Sequence, residues 1–206
     1  MQNYQERLQS AITADIPETV SLIKNPAPIG DHSLNALAPM DTDLRAAAVL
    51  VPIIQRPEGP TMLLTVRASH LPKHSGQVAF PGGKIEEVDK SPAAAALRET
   101  HEEVGIRPEL VSVAGCIDVY QTVTAYRVLP VLGFVSPDFK LNIDANEVAD
   151  VFEVPLDFIL DPRNHRVETR EFQGYERRFY AMEYDGYYIW GATAGMIRNL
   201  TDRLSR

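Results

Sequence analysis

Residues 82–106 read GGKIEEVDKSPAAAALRETHEEVGI, and the second half of this stretch predicts a helix over Pro92–Val104. Ser91 is placed as the N-cap, where its hydroxyl can accept from a free amide of the first turn. Pro92 follows at the first helical position, which needs no N–H, and Gly105 suits the left-handed C-terminal cap. At about 100 degrees per residue, Ala93, Ala96, Leu97, Thr100 and Val104 share a face fit to pack on a sheet, with Glu99, Glu102 and Glu103 on the other side.

That acidic side works against the helix. Glu99 and Glu103 are four residues apart and therefore neighbours, a like-charge pairing that costs roughly 0.2–0.5 kcal/mol. All three acids also crowd the negative end of the helix dipole, at about 0.3–1 kcal/mol each. Arg98, four residues before Glu102, relieves part of this. An acidic helix face is ordinarily a solvated surface. Here, however, the Gly82-Gly83 turn precedes it and lets backbone and ligand approach closely, and a local rule broken without local compensation is expected at functional sites. A hard cation supplies the compensation: Mg2+ favours oxygen ligands and is often held by one or two carboxylates plus substrate phosphates. Glu99 and Glu103 meet that requirement.

Outward from this helix, AAAVLVPII, MLLTV, QVAF, VSVAGCIDVYQTV and YRVLPVLGFV are short apolar or β-branched runs between Gly, Pro and polar turns, which predicts strands. EVADVFEVPLDFIL predicts a strand running into a short helix, RRFYAMEYDGYYIWG a hairpin about Asp185-Gly186, and ATAGMIRNLTDRL a closing helix. Helices on both faces of a mixed sheet give an α/β/α sandwich. Residues 1–44, broken by Pro17, Pro26, Pro28 and Pro39, are expected to form an N-terminal extension with one or two short helical turns, leaving 45–206 as the main domain. Trp190 and the tyrosines near it are expected in the core rather than as an adenine platform.

A length of 206 residues suits one domain with trimmings. The 45% hydrophobic and 23% charged content is that of a globular protein with a sizeable core, and no apolar run approaches the roughly 18 residues of a membrane span. The N-terminal residues contain acids and lack a secretory pattern, and Cys116 is the one cysteine, so the expectation is a cytoplasmic protein without disulfides. A net charge of −8 argues against general nucleic-acid binding. It does not exclude an anionic substrate, because metal held by the acids reverses the local field.

The stretch from Gly82 to Ile106 resembles the Nudix box, Gly-x5-Glu-x7-Arg-Glu-hydrophobic-x-Glu-Glu-x-Gly-hydrophobic. Arg98 to Ile106 matches it apart from Thr100 at a usually apolar place. In the first half, counting from Gly83, Asp89 stands where Glu is usual and eight residues rather than seven separate it from Arg98. Upstream, Leu63-Leu64-Thr65-Val66-Arg67, His74-Ser75-Gly76 and Phe80-Pro81-Gly82-Gly83 resemble the coenzyme A pyrophosphatase branch of that family, as do NEVADVFEVPL and IWGATAGMI. The resemblance covers roughly residues 46–200 and implies a Nudix-type sandwich with Mg2+ or Mn2+ as cofactor. It further implies hydrolysis of CoA or a CoA thioester to 3',5'-ADP and a phosphopantetheine. ADP-ribose or another nucleoside diphosphate derivative is the alternative substrate, and a non-catalytic nucleotide-binding module the alternative of another class.

On this resemblance Glu99 and Glu103 are the primary metal ligands, Glu102 a further ligand or base, and the carbonyl of Gly83 an added donor, with Gly82 beside it in the substrate turn. Arg98 orients the carboxylates. Arg67, Lys73 and His74 precede the box and can meet the adenosine 3'-phosphate or the diphosphate, Arg67 with a bidentate grip; the alternative for each is ordinary exposed charge. Glu147 is either a base from outside the box or a strand-end surface glutamate. His101 points away from Glu99 and Glu103. A homodimer is compatible with the sequence.

Overall fold

The computed structural model describes residues 4–35, 43–71, 75–172 and 175–205. The chain begins with helices α1 (Tyr4–Ala11) and α2 (Thr19–Lys24) and a short strand β1 (Ile29–Gly30). It continues through β2 (Arg45–Arg56), β3 (Gly59–Arg67), β4 (Val78–Ala79), β5 (Gly82–Lys84) and helix α3 (Pro92–Val104). Then follow β6 (Val111–Cys116), β7 (Tyr120–Gln121), β8 (Tyr126–Val135), β9 (Val148–Pro155) and α4 (Leu156–Ile159). Strands β10 (Arg166–Phe172), β11 (Tyr175–Tyr184) and β12 (Tyr187–Trp190) and helix α5 (Gly191–Leu204) close the chain.

Among the described residues, β1 to β9 form one nine-stranded sheet around β2, which runs parallel to β8 and antiparallel to β3 and β5. A strand covered on both faces reads as a continuous apolar run rather than an alternation, and β2 shows why: Ala48 and Leu50 pack with Ala95 and Ala96 of α3, while Ala47, Val51 and Ile53 pack with Met196, Ile197 and Leu200 of α5. The expected α/β/α sandwich with a mixed central sheet is what forms. Pro52, in the middle of β2, has no N–H to offer. It falls between the segment paired to β5, which ends at Val49, and the segment paired to β3, which begins at Ile53.

The residues before β2 are joined to this body. Leu8 and Ala11 of α1 are buried in the core shared with α5, Thr13 and Cys116 exchange both backbone hydrogen bonds at 2.8 Å, and β1 lies parallel to β7. The predicted hairpin turns at Asp185 and Gly186, both with positive φ, but the sheet that contains it has a third strand, β10, which the sequence pattern did not indicate. RVETREF has no apolar alternation to announce it. QVAF yields only the two-residue β4, and VSVAGCIDVYQTV breaks into β6 and β7.

Candidate active site

Helix α3 has the predicted bounds and caps: Ser91 Oγ accepts from the Ala94 amide at 3.1 Å, and Gly105 takes the left-handed conformation at φ 79°. Its buried face differs from the one read off the helical wheel. Ala95 and Glu103 are buried along with Ala96, Thr100 and Val104, while Ala93 and Leu97 are only partly covered. The reason is that α3 packs against β5 as well as β2, so a second wall covers positions that a single sheet face would leave in water.

Glu103 is therefore a carboxylate with only 6% of its surface exposed. Its Oε2 accepts from the Gly82 amide at 3.1 Å. Burial pushes its pKa up to about 8, the Gly82 amide opposes the rise, and the charges of Glu99 and Glu147 add to it. Glu99, half-buried on the next turn, is also raised, first by burial and against the pull of Arg98. Gly83 lies against Glu99 so closely that a Cβ there would meet the carboxylate atoms at 2.6–2.7 Å. The glycine turn thus brings one amide to Glu103 and a bare Cα to Glu99.

Arg98 binds these acids together. Its Nε and Nη2 hold Asp89 at 2.9 Å each, and Nη1 reaches Glu99 at 3.0 Å and Glu102 at 2.9 Å. Asp89 also accepts from the Glu86 amide at 2.8 Å, and the Arg98 guanidinium holds its pKa below the usual carboxylate range. Glu102 is exposed and pairs with Arg98, and His101 is exposed.

Two residues from distant parts of the chain join the pair. Arg67, at the end of β3, restrains the rise in the Glu103 pKa, and Glu147 augments it for both Glu99 and Glu103. They converge because the Ala68 amide donates to the Glu147 carbonyl at 2.8 Å and Arg67 pairs with Val148 across the sheet. Lys73 and His74 lie outside the described residues. From Arg67, Val49 and Phe80 a cavity of about 380 Å³ extends to Phe179 and Trp190 of the second sheet, with Asp31 and Asn35 on another wall. Trp190 is thus only partly buried and faces this cavity, a correction to its expected place in the core: β12 turns one face to α5 and the other, which carries Trp190, toward the cavity.

The NUDIX domain is matched over residues 44–184. The Nudix hydrolase NudL of Cronobacter sakazakii is 48% identical over 157 residues, 76% of this chain and 81% of that protein; NudL of Enterobacter sp. (strain 638) is 46% identical over 156 residues with the same coverage. The chain belongs to the Nudix hydrolase family. A solved Nudix hydrolase from M. smegmatis, RenU, overlaps 55% of this chain and 71% of its own at 22% identity and a TM-score of 0.46.

Nudix hydrolases act on pyrophosphate bonds and generally use divalent metal ions. The residues of this Nudix chain fit such an ion. Glu99 and Glu103 supply hard oxygen donors, and Glu103 is a buried carboxylate facing other negative charges, an arrangement that a divalent cation relieves. Among the described residues no three His, Cys, Asp or Glu side chains already converge in ligand geometry. Two protein carboxylates with water and phosphate oxygens completing the shell are what Mg2+ ordinarily accepts. Among the described residues, no helix is long and apolar enough to cross a membrane. Asp89 is the site residue that the sequence left without a role; the available signal was an acid standing where the box usually has Glu.

Proposed function

We propose that this Nudix hydrolase cleaves the diphosphate of coenzyme A or of a CoA thioester, giving 3',5'-ADP and the (acyl-)4'-phosphopantetheine, with Mg2+ or Mn2+ as cofactor. The observation that carries the hydrolytic part is the Glu99–Glu103 pair gathered beside Arg67 at one end of a cavity large enough for a nucleotide. The choice of CoA is supported by the run from Leu63 to Gly83 and its likeness to the CoA pyrophosphatase branch.

Glu99 and Glu103 would hold the metal, with the Gly83 carbonyl as a further donor; Glu102 would either join them or act as base once released by Arg98. When bound, the cation would supply charge neutralisation on the phosphoryl oxygens and lower the pKa of a water. Arg98 and Asp89 fix the carboxylates. Arg67 grips a diphosphate oxygen, and Lys73 and His74, which follow it in the sequence, meet the adenosine 3'-phosphate or the diphosphate. Glu147 takes the proton from the attacking water. A water oxygen bonds to one phosphorus, the bridging P–O bond breaks, and the bridging oxygen leaves with the other phosphate. The one cysteine, buried and unpaired, suits a reducing cytoplasm.

The test is product analysis by mass from CoA, acetyl-CoA and ADP-ribose with Mg2+ in isotope-labelled water. Preference for the CoA substrates, with label in one product phosphate, supports the reading. Preference for ADP-ribose replaces the substrate, and no hydrolysis of any member of the panel with either metal points to a binding module.

A further inference from the structure

The second sheet sets two like charges side by side. Arg170 of β10 stands directly opposite Arg177 of β11, so the two guanidinium groups share a face, where opposed like charges destabilise a sheet. The same face carries Phe179, Tyr188 and Trp190, by the strict alternation of side chains along each strand. Trp190 meets Phe179 edge to face at 5.3 Å, and Arg170 lies 5.5 Å from the Trp190 ring centroid. Glu168, the acid on this face of β10, is engaged elsewhere: it accepts from the Tyr188 hydroxyl at 2.7 Å and lies 3.8 Å from Arg166. The opposite face, with Met182 and Ile189 fully buried, is the one that packs on the body. This face is an aromatic surface with Arg170 and Arg177 toward one end and the Arg166–Glu183 pair toward the other, and Arg177, Phe179 and Trp190 line the cavity that Arg67 also lines.

We propose that this face anchors the phosphorylated nucleoside half of the substrate, with Arg177 taking a phosphate remote from the bond that is cleaved and Trp190 and Phe179 packing against the base. The orientation rests on the hydrolase reading, since it sets the diphosphate at Arg67. An arginine gives a phosphate two parallel charge-assisted hydrogen bonds, and aromatic faces accept any base by stacking. Asn35 is the positioning residue. Its side-chain amide accepts from the Arg178 amide at 2.8 Å and donates to the Arg178 carbonyl at 3.0 Å, which ties the N-terminal segment to the backbone between Arg177 and Phe179. The segment before β2 thereby supplies part of the substrate wall.

Trp190 is the one tryptophan of the sequence, so its emission reports on this surface alone. The full chain in Mg2+ is titrated with adenosine 3',5'-bisphosphate and with AMP, neither of which has an anhydride to cleave. The expected result is a saturable change in emission with both, the bisphosphate binding roughly tenfold more tightly. Arg177→Ala removes that preference, and Arg177→Lys keeps part of it. Unchanged emission up to millimolar nucleotide, or an Arg177→Ala variant with its preference intact, overturns the proposal. Hydrolysis of CoA without this binding sinks the anchoring subsite and leaves the activity standing; binding without hydrolysis does the reverse.

Discussion

Helix α3 with its glycine turn and the sheet β10–β12 are linked through Arg67, which acts on Glu103 and lines the same cavity as Arg177, Phe179 and Trp190, and they differ in the sign of the charge they gather. At the helix end Arg98 is spread among three carboxylates, and Glu103 has a single backbone amide to offset its burial. At the sheet end Arg170 and Arg177 stand opposite each other, and Glu168 accepts from the Tyr188 hydroxyl. An elongated anion satisfies both ends only if a divalent cation first reverses the field at the carboxylates. This is how a chain of net charge −8 can be built for a polyanionic substrate.

The sharpest way to break this contrast is Glu103→Gln. The amide keeps an acceptor for the Gly82 N–H but loses the charge, and turnover should fall by more than the roughly 10- to 100-fold that removing a supporting residue costs. Stability should move the other way. The folded-state pKa of Glu103, about 8, lies above its ordinary value of 4.5, so its contribution is fully present below 4.5 and is lost as pH rises through 8. In EDTA at pH 9 the variant should therefore melt several degrees above the unsubstituted protein, and the gap should close toward pH 4.5. Added Mg2+ should raise the melting temperature of the unsubstituted protein and not that of the variant. An active variant, or one that melts lower at pH 9, would make Glu103 a structural acid.

Gly83→Ala is expected to have the next largest effect and separates geometry from charge. The new methyl would sit 2.6–2.7 Å from the Glu99 carboxylate, at the far end of a flexible side chain that can swing aside. Folding should survive with a change in melting temperature of a few degrees at most, while activity drops roughly 10- to 100-fold, the scale on which misplaced ligands act. Melting and turnover measured on the same preparation decide it, and equal losses in both would mean that the turn is needed for the fold rather than for placing Glu99.

The two ends also differ in how far they could be read from sequence. The bounds of α3, both caps and the Arg98–Glu102 pair are local, and Ser91, Pro92 and Gly105 declare them. The burial of Glu103 was not legible, because a helical wheel knows one packing face and α3 has two. Asp89 was obscured by the one-residue irregularity of its loop, although Arg98 holds it with two hydrogen bonds. Arg67 and Glu147 could be nominated, but their convergence depends on the β3–β9 register. At the sheet end almost nothing is local. RVETREF lacks apolar alternation, Trp190 looked like core, and the part played by Asn35 rests on hydrogen bonds to a residue 143 positions away.

The smallest expected effect tests the support beneath the sheet end. His165 lies just before β10, is 8% exposed, and has its Nε2 2.7 Å from the Ile159 carbonyl, which makes that nitrogen the donor. Nδ1 is buried with no hydrogen-bond partner among the described residues. Burial pushes the His165 pKa below its ordinary 6.5; the Ile159 carbonyl opposes the shift, as do Asp202 and Asp161, while Arg198 adds to it. The neutral ring's contribution is therefore present above pH 6.5 and is lost as pH falls from there through the lowered folded pKa, because the unfolded chain takes up the proton first. The slope cannot exceed about 1.4 kcal/mol per pH unit for one group. Melting between pH 7.5 and 5 should show His165→Asn less stable at the upper end, from lost packing, with the difference narrowing as pH falls. A constant difference would mean that His165 takes up its proton as readily folded as unfolded, and that burial at the base of this sheet does not disfavour charge as it does at Glu103.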